Sequence, residues 1–389
     1  MDIHEYQAKE LLGRHGIRLP RGGLAYSPEQ AAYRASEIGG EAWVVKAQVH
    51  SGGRNEAGGI VLCHSDKDVA AAAERLLGRR LKAGGGSKPV NRLYVEEAVT
   101  PDQAHYLGFA LDRRAERIVI VASSSGGMEI GEIVAREPDS VIRCAVDPGL
   151  GLQNFQAREI AFGLGLDRAL ITKAVDAIKG CFRVFCAHDA EMLEINPLAV
   201  ARGDLIALDC KMSFDDQALF RRPEISELRD KSQEDRNQTF ATDRGLSYTG
   251  LEGDIGCIVN GRGLATATRD MIRRHGGAPA NVLEIGGGAG AERVAKSFRA
   301  VLADKRVKAI LVNVFAGINR CDWIAEGVLK ALGDSRCDLP VIVRLAGTEA
   351  HAGKDILARH APQITLCDAL DEAAEVAVAQ WKRAARPAA

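Results

Sequence analysis

The chain reads as an α+β domain followed by an α/β domain built on a doubly wound parallel sheet. Three observations predict this. Apolar, β-rich runs alternate with amphipathic helical stretches through the C-terminal third, the pattern of repeated βα units. Before about residue 220 the strands come in a mixed rhythm with few crossover helices. A charged and polar stretch without an apolar face separates the two, and 389 residues are enough for two or three domains of ~150. The expected organisation is therefore a first domain over 1–220, a connecting segment over 221–250 and a second domain over 251–389.

In the first domain an opening helix, at about 3–16, precedes strands near AWVVKAQV, GGIVLC, RLYVEEAV, HYLGFALD and RIVIVASSS. Helices are expected near 66–82 and 156–180, and the strands EMLEINPLAV and DLIALDCKM follow. The only short low-complexity tract is GGGS at 84–87. In the second domain the strands are DIGCIVNG, NVLEIGGG, VKAILVNVF, LPVIVRLAG and QITLCDAL, each apolar on both faces as a helix-covered parallel sheet requires. A site on such a sheet is expected at the carboxyl edge of its strands.

Composition excludes several function classes. Fifty-one Lys and Arg balance 52 Asp and Glu, which removes the basic excess expected of a nucleic-acid binder. No apolar run reaches the ~18 residues of a membrane span, and the polar N-terminus lacks the apolar centre of a signal peptide. Nine scattered cysteines without a CxxC pair fit reduced thiols in a cytoplasmic protein rather than a disulfide framework or zinc site.

Several residues could carry chemistry. Lys46, within a strand and upstream of the glycine turn Gly52-Gly53-Arg54, can clamp polyphosphate from two sides, or it is a plain edge-strand lysine. Glu96 closes a strand, where a carboxylate accepts from a ribose hydroxyl or simply meets solvent. Glu194 and Asn196 share a strand face, and a neighbouring strand could bring Asp209 beside them. A carboxylate, an amide and nucleotide phosphates make an oxygen set that suits Mg²⁺. Gly286, Gly287 and Gly288 precede a helix, whose free N–H groups and dipole favour an anion. Asn260, Gly317 and Asn319 lie on loops of the same edge.

Together these residues resemble the β (large) subunits of the succinyl-CoA synthetase family of acid–thiol ligases, malate–CoA ligases included. The resemblance runs through HEYQAKELL, WVVKAQVHSGGR, QAREIAFGLGL, LEINPLAV, LDCKM, ALFRRPEI, GCIVNGRGLA, GGGAGAERV and INRCDWIAEG. It implies an ATP-grasp domain followed by a flavodoxin-like ligase domain. It also implies an α-subunit partner, in an α2β2 heterotetramer, that carries CoA and a transiently phosphorylated histidine. By the same resemblance Lys46, Gly53, Arg54 and Asn55 contact the phosphates of ATP or GTP, and Glu96 contacts the nucleoside. Asn196 and Asp209 hold Mg²⁺, and Glu194 faces the phosphohistidine. Asn260, Gly317, Ile318 and Asn319 bind the dicarboxylic acid near the Gly286–Gly288 helix terminus.

Two places depart from the family pattern, and at the first Asn55 stands where a glycine is usual. Glu56 stands where a lysine is usual, and Ala104 stands where a second nucleotide-binding glutamate is expected. They motivate an alternative in which the chain is a nucleotide-impaired binding subunit. The segments 316–323, 211–216 and 344–348 look more like malate–CoA ligases than succinate enzymes. Asn319 adds an amide where succinate enzymes tend to be apolar, and is expected to pair with the malate hydroxyl. Malate is therefore the expected acid and succinate the alternative.

Overall fold

The opening helix, Glu5–Arg14, lays Ala8, Leu11 and Leu12 onto a six-stranded antiparallel sheet. This sheet, in a computed structural model that describes residues 1–83, 86–334 and 337–384, belongs to the first of two units, Met1–Gln233. Its strands run in the order Asp204–Ala207, Ala190–Ala201, Gln103–Asp112, Arg117–Ser123 and Val141–Val146, and Cys210–Phe214 pairs beside the first half of Ala190–Ala201. Helices Asn154–Gly163 and Ile171–Ala187 cover the same face through Ile160, Ile178 and Phe185. They interrupt the single helix expected over 156–180. Gly165, at φ +73°, turns the chain between them, a conformation that residues with a Cβ rarely adopt.

A second antiparallel sheet of the same unit has the order Gly22–Ala25, Leu93–Glu97, Trp43–Ala47 and Ile60–Cys63. Helices Pro28–Ile38 and Asp66–Leu76 pack on it around Val45, Val69 and Val95, each started by a serine cap at Ser27 or Ser65. The expected helix over 66–82 stops at Leu76, and Arg80–Ala83 pairs instead with Gly86–Pro89. Gly84 and Gly85 of the GGGS tract lie outside the described residues.

The polar stretch 221–250 is structured along much of its length. Near its middle, Gln7 Nε2 donates to Leu228 O at 3.0 Å and Arg92 pairs with Asp230 at 2.8 Å. Gln233 Nε2 donates to Pro89 O at 2.8 Å. These bonds tie residues 228–233 across the first unit. Its end, Ser247–Gly250, is an antiparallel edge strand of the second unit, Glu234–Ala389. Hydrophobic patterning is silent there because only Tyr248 of the four points into the core.

That second unit carries the five expected parallel strands in the order Pro279–Glu284, Ile255–Val259, Ala309–Ala316, Val341–Gly347 and Thr365–Cys367. Numbered along the chain this is 2-1-3-4-5, the flavodoxin-like order. Helices cover both faces, one core gathering Val294, Phe298 and Val328 and the other Ile272, Ala374 and Val378. No helix of the described residues is long and apolar enough to cross a membrane.

Candidate active site

The first unit holds a cavity of about 940 Å³ between its two sheets. Lys46, Gly53, Arg54, Asn55, Glu96, Glu194, Asn196 and Asp209 all line it. Local hydrogen bonding explains how residues so distant in sequence meet. Asn196 N donates to Asp209 O at 3.0 Å, and Leu208 N donates to Pro197 O at 3.1 Å, so the LEINP and LDCKM segments lie side by side. Gly53, at φ +69°, turns the chain so that Arg54 enters the interior, where its guanidinium is 8% exposed. Asn55 and Glu56 stay exposed at the cavity wall.

The cavity floor is a buried ionic cluster. Lys46 Nζ donates to Glu5 Oε1 at 2.9 Å and to Leu208 O at 2.7 Å, and pairs with Glu96. Lys9 pairs with Glu5 at 2.8 Å and with Glu96, and donates to Leu208 O at 2.7 Å. Arg54 pairs with Glu5 at 2.7 Å and Asp209 at 2.6 Å. Burial pushes the Glu5 carboxyl up, but Lys46, Lys9 and Arg54 outweigh it and hold Glu5 well below the usual carboxylate range. Burial disfavours the charged Arg54 guanidinium, yet Asp209 and Glu5 more than offset it and raise its pKa. Three cations and three acids thus compensate one another, as buried charges must.

Next to this cluster the Asn196 side chain braces a loop. Its Oδ1 accepts from Gly127 N at 2.6 Å, and its Nδ2 donates to Met128 O at 2.8 Å. Glu194 lies opposite Lys211 across the strand pair. Burial raises its pKa, opposed by Lys211 and by the amide of Asn196. Glu129 and Lys211 line the same cavity. Among the described residues no three His, Cys, Asp or Glu side chains are grouped to hold a metal ion.

Sequence reasoning passed over Glu5, Lys9, Glu129 and Lys211. A signal for the first two was present. Glu5, Ala8, Lys9 and Leu12 fall on one stripe of the opening helix, so a charged pair at i, i+4 sits on its apolar face. A face that buries charge points to partners elsewhere in the fold.

The second unit presents its candidate residues at the carboxyl edge of the parallel sheet. Gly286 and Gly288 adopt φ +76° and +69°, and Gly287, Gly288, Gly317 and Ile318 are exposed. Helix Ala291–Leu302 begins there with no side-chain cap, so its first N–H groups are available to an anion. The two asparagines are engaged with backbone. Asn260 is engaged with the backbone of Phe315, donating to its O at 2.8 Å and accepting from its N at 2.9 Å. Asn319 is 1% exposed, accepts from Ala289 N at 3.1 Å and donates to Gly286 O at 2.9 Å. Its amide braces the glycine turn. The reason is local: a turn with two positive-φ glycines leaves a carbonyl and an N–H that a neighbouring amide can bridge.

Comparison with known proteins matches each unit to a known domain. An ATP-grasp domain matches residues 2–200, and a CoA-ligase domain matches residues 258–378. The chain is 64% identical to a probable malate–CoA ligase subunit β of Mesorhizobium japonicum, over 99% of each chain. It belongs to the CoA-ligase β-subunit family. The ADP-forming succinate–CoA ligase subunit β of Methylobacillus flagellatus is 47% identical, over 98% of this chain and all of that one. An ATP citrate lyase from Methanothrix soehngenii, solved with citrate and coenzyme A, shares the fold at a TM-score of 0.74 and 18% identity, over 97% of this chain and 99% of that one. As a member of an enzyme family of ATP-grasp ligases, the chain has its nucleotide-type fold in the first unit and its CoA-ligase fold in the second.

Proposed function

We propose that the chain is the β subunit of a malate–CoA ligase, forming malyl-CoA, ADP and phosphate from malate, CoA and ATP. The observation that carries this reading is the full-length 64% identity to a probable malate–CoA ligase β subunit, against 47% for a succinate–CoA ligase relative. The cavity of the first unit then takes the nucleotide. Lys46 and Arg54 meet the phosphates, Gly53 and Asn55 cover them with backbone, and Glu96 meets the nucleoside. Asp209 and Asn196 present oxygen donors from adjoining positions, a hard set with few protein ligands that fits Mg²⁺ completed by phosphate oxygens. When bound, the cation neutralises charge on the phosphate being transferred.

Glu194, half-buried and opposite Lys211, would face a phosphorylated histidine of an α subunit. That partner would also supply CoA. Phosphate passes to its histidine, then to the acid, and the thiolate of CoA displaces it, which avoids thiol attack on an unactivated carboxylate. In the second unit the Gly286–Gly288 turn, Gly317 and Ile318 receive the acid, while Asn260 and Asn319 hold the loops that form the pocket. A complex of two α and two β subunits is the assembly this reading expects, in the cytoplasm.

The test is catalytic efficiency of the two-subunit enzyme with malate and with succinate under identical ATP and CoA. Malate should be favoured by at least tenfold. A preference for succinate would establish the alternative, a succinate–CoA ligase.

A further inference from the structure

We propose that Glu5 is a positioning residue of the nucleotide site, the shared anion that holds Lys46 and Arg54 in place at the cavity. The proposal rests on the nucleotide reading above and assigns a role to the N-terminal helix, which that reading leaves out.

Glu5 is the one acid of the cluster bonded to all three cations. Its carboxylate meets Lys9 at 2.8 Å, Lys46 at 2.9 Å and Arg54 at 2.7 Å, whereas Glu96 meets the two lysines and Asp209 meets Arg54. The Glu5 side chain is 1% exposed, so water does not substitute for it. Lys9 and Lys46 share the same three acceptors, Glu5, Glu96 and Leu208 O. Lys46 and Glu5 line the cavity, and Lys9 lies behind them. Without Glu5, two buried ammonium groups would depend on one carboxylate. With that acceptor gone, neither ammonium is fixed in its present place, and Lys46 is no longer held at the cavity wall. Arg54 has the complementary need. If Asp209 turns to a cation, Glu5 is the acid left to fix the guanidinium.

The experiment is calorimetric titration of the full-length chain with ADP and Mg²⁺, for the wild type, Glu5→Gln, Glu5→Asp and Leu12→Ala. Leu12 is fully buried on the same helix, within the apolar core, and takes part in none of the ion pairs named here, so its truncation reports what loosening the helix alone does. Glu5→Gln should weaken binding at least tenfold. Glu5→Asp, which keeps the charge, should fall between Gln and wild type. Leu12→Ala should lower the melting temperature yet bind within threefold of wild type. If Glu5→Gln binds like wild type or tighter, Glu5 does not position the cations. If Leu12→Ala loses affinity as much as Glu5→Gln at a similar melting temperature, Glu5 is purely structural. Should Glu5→Gln fail to fold, Glu5→Asp against Leu12→Ala decides in the same way. A wild type that binds no ADP with Mg²⁺ overturns the nucleotide reading itself, and that outcome is recognisable before any variant is compared.

Discussion

Replacing Asn319 by valine separates a residue that holds the substrate pocket from one that reads the substrate. The side chain bridges Gly286 O and Ala289 N, and it is 1% exposed. Valine makes neither bond and leaves the Gly286 carbonyl and the buried Ala289 N–H without that partner. Each such group costs ~1–3 kcal/mol. Opening of the turn is therefore favoured by at least that much locally, and the Ala289 amide should exchange with solvent roughly 5–150 times faster. Because the turn is the proposed seat of the carboxylate for either acid, kcat/KM should fall for malate and succinate alike, by about tenfold for each 1.4 kcal/mol lost. The assay pairs amide exchange at Ala289 with steady-state kinetics for both acids. A malate-specific loss with unchanged exchange would refute the reasoning and return the Asn319 amide to the substrate hydroxyl.

Three further perturbations bear on the first unit. Asp209→Ala removes a proposed cation ligand and one partner of Arg54, so ATP-dependent phosphorylation of the partner subunit should disappear while circular dichroism stays native; normal labelling would remove Asp209 from the site. Glu56 is exposed at the cavity wall, so Glu56→Lys should tighten ATP several-fold at low salt, an effect that fades as salt screens it; unchanged calorimetry would mean the side chain points away. Burial, with His4 beside it, pushes the His50 imidazole down to about 3 from 6.5. Below pH 6.5 the unfolded chain then binds a proton that the folded one refuses, and stability falls as pH drops toward 3. One such group contributes a slope of at most about 1.4 kcal/mol per pH unit. His50→Gln should flatten the fall in melting temperature between pH 6 and 4, and an unchanged profile would show that His50 charges freely in the fold.

Much of this was legible in the sequence where one face or one spacing dominates. All five parallel strands of the second unit were visible because both faces are apolar. The cavity of the first unit was legible in part. Lys46 and Arg54 were marked by a glycine turn, Glu96 by a strand end, and Glu194, Asn196 and Asp209 by their spacing on adjoining strands, and all six line the cavity. Other features left weaker traces. The strand Gly22–Ala25 has two glycines among four residues, and Val141–Val146 is interrupted by Arg143, so neither reads as a strand alone. Glu5 and Lys9 were hidden because a charged pair on a helix is normally a solvated face. The engagement of Asn319 could not be read at all, since it depends on a turn 30 residues away in sequence.

The most direct test of the account follows labelled phosphate through the assembled enzyme. The β chain and its α partner are incubated with γ-labelled ATP and Mg²⁺, and then chased with an acid and CoA. Base-stable, acid-labile label is expected on a histidine of the partner, absent from this chain, and discharged faster by malate with CoA than by succinate with CoA. Label retained on this chain, or a partner label that only succinate discharges, would contradict it.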